Sequence, residues 1–525
     1  MKPLLMYPDR DFDQFHVFRD LMYRFRRPNE EPQLPSHQEA LMQDLELRSL
    51  LQAMAGTDEF LFEVAQGALL SAVRNDLGTI FYRQEVLKDC LKNPAVITRV
   101  YGLTVEAVES TRREWWSLSS TSPSSPFWDA LRVLEVLLEI LRKLRIIADE
   151  QSGGFESKAF TAMFAIVRNE LTAEYLGTIE SCLTELKFRK GVLLSAELGS
   201  SNESANLTLR RLDDKRRSWL GRLAGKKPRG YTFHLAERDY TGGKILSDMR
   251  RRGISRVTIA LVQSADHVLG FFRMLRTELA FYIGCLNLHA RLSERGEPVC
   301  FPTPVAGGES RYQFSGLYDV CLALHVDGKV VGNSGMADGK NLVIITGANQ
   351  GGKSCFLRSV GLAQLMMQSG MFVGAEAFDA EICSALFTHY KREEDATLKS
   401  GKFDEELARM SGIVDQIVPN SIVLFNESFA ATNEREGSEI ARQIVGALLE
   451  KHVRVFFVTH LYEFARIFYE KTGGDVISLR AERLQDGTRT FRVVEGEPRE
   501  TSYGDDLYRQ IFDSPAGPER TEALV

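Results

Sequence analysis

The sequence predicts an all-α region followed by an α/β domain built on a parallel sheet. Three observations predict it. From Gln38 to about Gly296, apolar residues recur at helical spacing in one segment after another. Past Gly296, short apolar runs rich in β-branched residues alternate with helical segments. Within that second part, residues 341–368 (NLVIITGANQGGKSCFLRSVGLAQLMMQ) read as a strand, a glycine-rich loop and a helix in immediate succession.

The chain has 525 residues, enough for two to four domains. Its 44% hydrophobic and 26% charged residues are those of an ordinary globular protein. No apolar run approaches a membrane span, and the N-terminus has early acids and no small-residue cleavage site, so neither a membrane protein nor a secretory leader is expected. The seven cysteines are scattered and form no C-x-x-C pair, which points to a reducing, cytoplasmic setting and away from a zinc site.

Residues 1–37 read as an N-terminal arm ending in the Pro-rich linker RRPNEEPQLPSH. In EALMQDLELRSLLQAMAG one helical face carries Leu47, Leu50, Leu51 and Met54. Thr57 or Asp58 caps the next helix. Residues 128–148 form the strongest helical pattern, with Leu134, Leu137, Leu141 and Leu144 at spacings of three and four, as in a buried bundle helix. Residues 159–197 continue as a long helical stretch, and 265–295 are helical again. Between them, residues 186–256 hold 18 basic against 7 acidic residues, so the overall net charge of −6 hides a cationic segment. Such a run is often only a solvated face; the alternative is a patch for nucleic-acid phosphates. Few aromatics interleave with it, which disfavours base stacking on single strands. The candidate contacts are Arg210, Arg211, Lys215, Arg216, Arg217, Lys226, Lys227, Arg229, Arg250, Arg251 and Arg252.

Three motifs in the last third carry chemistry. The first, Gly347, Ala348, Asn349, Gln350, Gly351, Gly352, Lys353 and Ser354, fits G-x-x-x-x-G-K-[ST]. A glycine-rich turn matches this pattern by chance in long chains, but here a strand precedes it and a helix follows. Glycines let backbone N–H groups curl round phosphate oxygens, the helix N-terminus adds a positive dipole end, Lys353 adds charge and the Ser354 hydroxyl suits Mg²⁺. Cys355 completes the nucleotide-contacting stretch. The second motif, SIVLFNE, is an apolar strand ending in Asn426 and Glu427. Asn426 stands where an acidic Mg²⁺ anchor is usual, and Glu427 where a carboxylate orients the attacking water. The third, VRVFFVTH, ends in His460, suited to contact the γ-phosphate or that water. This order is that of ABC-type P-loop ATPases, a class in which two ATPase domains sandwich ATP and Mg²⁺ between them.

The motifs resemble those of the MutS family of mismatch-repair ATPases. GANQGGKSCFLRSVGLAQLMMQSGMFVGAEAF resembles its phosphate loop and helix, FNESFAATNEREG its Walker B strand and following loop, and FFVTHLYEFARI its strand-histidine-helix. ICSALFTHYKREEDATLKSGKFDEELARM resembles the segment with the trans signature loop, and TSYGDDLYRQIF the closing S-x-G helix. The likeness covers about 320–515 strongly and 45–300 more weakly, through FYRQEVLKDCL and FRMLRTELAFYIGCLNLHARL. It implies a helical core and lever domain over 38–296 with a clamp-like segment at 186–256, and an ATPase domain over 297–525. It also implies ATP and Mg²⁺ as cofactors, a homodimer through the ATPase domains, and DNA as partner. Glu427 and His460 become the catalytic pair, Ser354 and Asn426 the metal ligands, and Ser400, Gly401, Lys402 and Phe403 the loop meeting the partner's nucleotide.

The departures set further expectations. The chain is expected to lack the family's N-terminal mismatch-reading and connector domains, and Phe155 in GGFES sits too deep in the helical region to be a mismatch wedge. Gly401 and Lys402 stand where a Ser-Thr pair is usual, FAATNEREG replaces a glycine-arginine-glycine loop, and Val330 and Val331 replace an adenine-stacking aromatic. The expected function is an ATP-driven clamp on mismatched, branched or structured DNA. The alternatives are a non-catalytic ATP-binding scaffold and an ATPase acting on RNA or ribosomes.

Overall fold

The computed structural model describes residues 2–10, 36–117, 125–189, 191–200, 204–210, 234–236, 238–392, 401–471 and 475–499. The helices are α1 (Ser36–Asp44), α2 (Leu47–Ala55), α3 (Glu59–Leu70), α4 (Leu77–Lys92), α5 (Pro94–Ser117), α6 (Ser125–Gln151), α7 (Lys158–Glu170), α8 (Ala173–Leu186) and α9 (Tyr240–Glu294). A hairpin, β1 (Leu193–Leu198) and β2 (Ser204–Arg210), precedes α9. Then follow β3 (Thr303–Val305), β4 (Tyr312–Leu317), α10 (Val320–His325), β5 (Asn333–Met336), β6 (Leu342–Gly347) and α11 (Lys353–Gln368). After these come β7 (Ala377–Glu381), β8 (Ala385–Tyr390), α12 (Lys402–Val414), β9 (Ser421–Asn426) and α13 (Glu434–Glu450). The last are β10 (Arg454–Val458), α14 (Tyr462–Lys471), β11 (Val476–Arg483) and β12 (Arg489–Glu495).

Packing divides the chain into two compact units. One holds Thr98–Phe155 and Thr161–Arg276; the other holds Leu4–Ile97, Glu156–Phe160 and Thr277–Val525. This division runs differently from the sequence partition at 296, because the first four helices fall in the unit that carries the sheets. Residues read as an N-terminal arm also join that core: Leu5 and Met6 are fully buried. Leu5 N–H donates to Glu278 Oε2 at 2.6 Å, and Arg83 Nε donates to the Met6 carbonyl at 2.9 Å.

The first unit departs from the all-α expectation. The stretch 159–197 breaks after Glu170, restarts with Thr172 capping Tyr175 N–H, and from Leu193 pairs as an antiparallel ribbon with β2. The alternation in SANLTLR is a period-2 pattern that the surrounding basic clusters masked. Of the α6 stripe, Leu137, Leu141 and Leu144 are buried as expected while Leu134 is only half-buried, and Phe155 packs edge-on to Phe164 at 5.1 Å.

The second unit carries two sheets, a six-stranded one in the order β12-β11-β6-β10-β9-β8 and a four-stranded one in the order β3-β7-β4-β5. In the larger, β8, β9, β10, β6 and β11 run parallel, and β12 closes the edge antiparallel to β11. Buried strands of Ile, Val, Leu and Phe explain the continuous apolar runs. Register positions the site: Val458 pairs with Ile345 on one side and with Asn426 on the other. The carboxyl ends of β6, β9 and β10 therefore share one edge. Helix α11 is buried nearly all round, with Phe356, Val360, Ala363 and Met367 among the buried side chains. Even Gln364 and Gln368 lie inside, donating to the Glu381 and Cys383 carbonyls at 2.9 and 3.0 Å. No helix among the described residues is long and apolar enough to cross a membrane.

Candidate functional site

The loop after β6 turns through left-handed backbone at three residues, two of them glycines. Gly347 has φ 107°, Gln350 φ 57° and Gly352, which caps α11, φ 84°. A Cβ at Gly347 would lie 3.0 Å from Ala481 N, and one at Gly352 3.2 Å from the Phe491 carbonyl, so strands β11 and β12 wall the loop closely. Lys353 is buried and donates through Nζ to the Gly347 and Ala348 carbonyls, both at 2.9 Å. Burial pulls its ammonium down to about 8, against the opposing pull of Glu427. Cys355 is half-buried, and burial pushes its thiol up.

Ser354 Oγ donates to Asn426 Oδ1 at 3.0 Å, joining the start of α11 to the end of β9. These two hard oxygen donors suit a Mg²⁺ ion that keeps several waters, although the amide brings no charge. Next to them Glu427 adopts φ 54°, an unfavourable region for a side chain with a Cβ, and its N–H is held by the Val458 carbonyl at 2.9 Å. Its Oε1 lies 3.0 Å from His460 Nε2. The His460 hydrogen bond holds the Glu427 carboxyl below the usual range, so it is ionised at neutral pH. An ionised carboxylate oriented by an imidazole is a group able to accept a proton from water.

The structure thus brings together Lys353, Ser354, Asn426, Glu427 and His460. Of the expected signature segment, Gly401 is the N-cap of α12, and Lys402 and Phe403 form its first turn; Ser400 lies outside the described residues. In the first unit Arg210 ends β2, donating to Ser195 Oγ at 2.9 Å, and Arg250, Arg251 and Arg252 are exposed on α9. Arg251 and Arg252 line an open cleft with Ser204, Asn206 and Leu207 of the hairpin. Arg211, Lys215, Arg216, Arg217, Lys226, Lys227 and Arg229 lie outside the described residues.

Three features escaped the sequence reading. Arg489 of β12 sits near enough to oppose the Lys353 charge, and its Nε and Nη2 are buried without a hydrogen-bond partner among the described residues. Glu406 and His389, both buried, reach the loop behind Glu427. A cleft beside Ser354 and Asn426 is lined by Asp44 at the end of α1, by Glu46 at the N-cap of α2, and by Arg358 and Arg392. Asp44 pairs with Arg392 at 2.9 Å, and Arg358 with Asp319 at 2.5 Å and with Glu46. None of these follows a local pattern, which is why spacing alone did not find them.

Comparison with known proteins fits this geometry. Residues 75–295 match the MutS2 N-terminal domain and residues 343–512 match MutS domain V. Endonuclease MutS2 of Thermus thermophilus is 30% identical over 220 residues, covering 42% of this chain and 29% of that protein. The DNA mismatch repair protein MutS of Leuconostoc citreum is 26% identical over 296 residues, covering 54% of this chain and 34% of its own length. MutS protein homolog 4 of Homo sapiens is 26% identical over 196 residues, 36% of this chain and 21% of that one. The matches thus span about a third or less of these relatives. With one matched domain holding the helical region and the other the phosphate-loop edge of the sheet, the chain belongs to the MutS family.

Proposed function

We propose that the protein is a DNA-binding ATPase whose nucleotide state switches a helical clamp, working as a homodimer through its ATPase domains over 297–525. The observation that carries this reading is the gathering of Lys353, Ser354, Asn426, Glu427 and His460 at the carboxyl ends of β6, β9 and β10. In this reading residues 347–355 cradle the nucleotide's phosphates and Lys353 turns its ammonium from the loop carbonyls to the outer phosphates. Bound Mg²⁺, held by Ser354 and Asn426, would neutralise charge on the phosphate oxygens. Glu427 takes a proton from water aligned with the terminal phosphate, and His460 orients the carboxylate. The loop from 400 to 403 completes the partner's site.

One relative is named a DNA mismatch repair protein and another an endonuclease, names that fit a nucleic-acid partner. The exposed Arg250, Arg251 and Arg252 beside the hairpin supply the cationic surface that reads phosphates by charge and shape. Asn426 is the one observation favouring a scaffold that binds ATP without turnover. Steady-state hydrolysis by the protein and its E427Q variant, with and without branched DNA, tests the choice. Turnover that DNA stimulates and E427Q abolishes is expected; tight ATP binding with equal turnover in both overturns the ATPase reading. Binding to duplex, junction and structured RNA at several salt concentrations distinguishes DNA from RNA as the partner.

A further inference from the structure

The segment behind Glu427 is held in an unusual shape. Glu427 and Phe429 both adopt left-handed backbone, at φ 54° and 64°, in a chain of non-glycine residues. Such a shape persists only where its surroundings over-determine it. The restraint comes from helix α12. The Phe429 N–H donates to Glu406 Oε1 at 2.7 Å, and both residues are buried. His389, at the end of β8, bridges the same two elements. Its Nε2 lies 3.0 Å from the Glu406 carbonyl, which can only accept, so that nitrogen carries the proton. Its Nδ1 lies 2.8 Å from Ser428 Oγ, and its ring stacks on Phe429 at 5.3 Å and 20°. Glu406 stands one turn beyond Phe403, in the helix that Gly401 caps.

We propose that Glu406 is a positioning residue for Glu427: its carboxylate, through the Phe429 N–H, fixes the left-handed turn that aims Glu427. This rests on the ATPase reading above and deepens it. Because α12 starts at residues 401–403, whatever that segment touches reaches the Glu427 turn through Glu406, one helical turn away.

The test compares the full-length protein with its E406A, E406Q and E427Q variants. Two readouts are taken: kcat and affinity for a fluorescent ATP analogue, and amide hydrogen exchange over residues 426–433. In E406A kcat should fall about tenfold or more while nucleotide affinity stays within about threefold, and the Phe429 amide should lose protection. E406Q keeps an oxygen acceptor and should restore both. Equal turnover and protection in E406A and parent overturn the proposal, as does a parallel loss of kcat and affinity in E406A and E406Q alike. If the parent does not turn over beyond E427Q, the ATPase reading fails. Exchange then decides the positioning role alone: it stands if protection is lost in E406A and kept in E406Q, and falls otherwise.

Discussion

If the proposed ATPase reading holds, raising the pH past about 8 should weaken ATP binding, because that reading assigns Lys353 to the phosphates and burial has lowered its pKa to about 8. The sign follows from linkage. In the free protein the ammonium deprotonates from about pH 8 upward, whereas bound phosphates favour the charged form and hold the proton to higher pH. Affinity is therefore flat below 8 and falls above it. At about pH 9 roughly one molecule in ten keeps the proton, so the dissociation constant rises about tenfold, or about 1.4 kcal/mol. The nucleotide's terminal phosphate, with its second ionisation near ~6, is already fully charged there and adds no slope. Folding responds with the opposite sign: the unfolded chain binds the proton up to the ordinary value of 10.5, so this lysine makes the nucleotide-free fold more stable as pH rises from 8 towards 10.5. The assay is titration with a fluorescent ATP analogue at constant ionic strength between pH 7 and 9.5. It is run in parallel on K353R, whose guanidinium does not deprotonate. A flat profile in the parent, or an equal fall in K353R, refutes the reasoning.

N426D sets a carboxylate oxygen at the position now 3.0 Å from Ser354 Oγ and should lower the Mg²⁺ concentration for half-maximal nucleotide turnover by about tenfold, read by Mg²⁺ titration. R489A removes a guanidinium beside the glycine-rich loop whose Nε and Nη2 have no hydrogen-bond partner among the described residues; ATP-analogue affinity should fall about tenfold with the melting temperature unchanged. His389 is buried and its pKa is lowered to about 4 by desolvation, so the unfolded chain takes up a proton near 6.5 that the fold refuses. Stability should therefore fall as pH drops from 6.5 to 4, by about 2 kcal/mol at pH 5, and H389Q should flatten this in urea unfolding at pH 7 and 5.

Much of the candidate site's local structure was legible because its signals are local. The glycines, Lys353 and Ser354 lie within one loop and the helix start after it, and Asn426 ends, while Glu427 and His460 follow, a buried apolar strand, so their place at a strand end could be read from neighbouring residues alone. The Asp58 cap and the Leu47, Leu50, Leu51, Met54 face are local in the same way. The hairpin at 193–210 was missed because a short alternation competes poorly with the charge clusters around it.

By itself, then, the sequence determined which residues sit at strand and helix ends, since period, capping and glycine placement act over a few residues. Only the tertiary structure decided which ends meet. Strand register carries Gly347, Asn426 and His460 to one edge across more than a hundred residues. The carboxylate of Glu406 reaches Phe429, 23 residues on, and Leu5 reaches Glu278, 273 residues on. Such contacts are chosen by packing of a buried core, in which a polar group must find whichever partner the fold brings near.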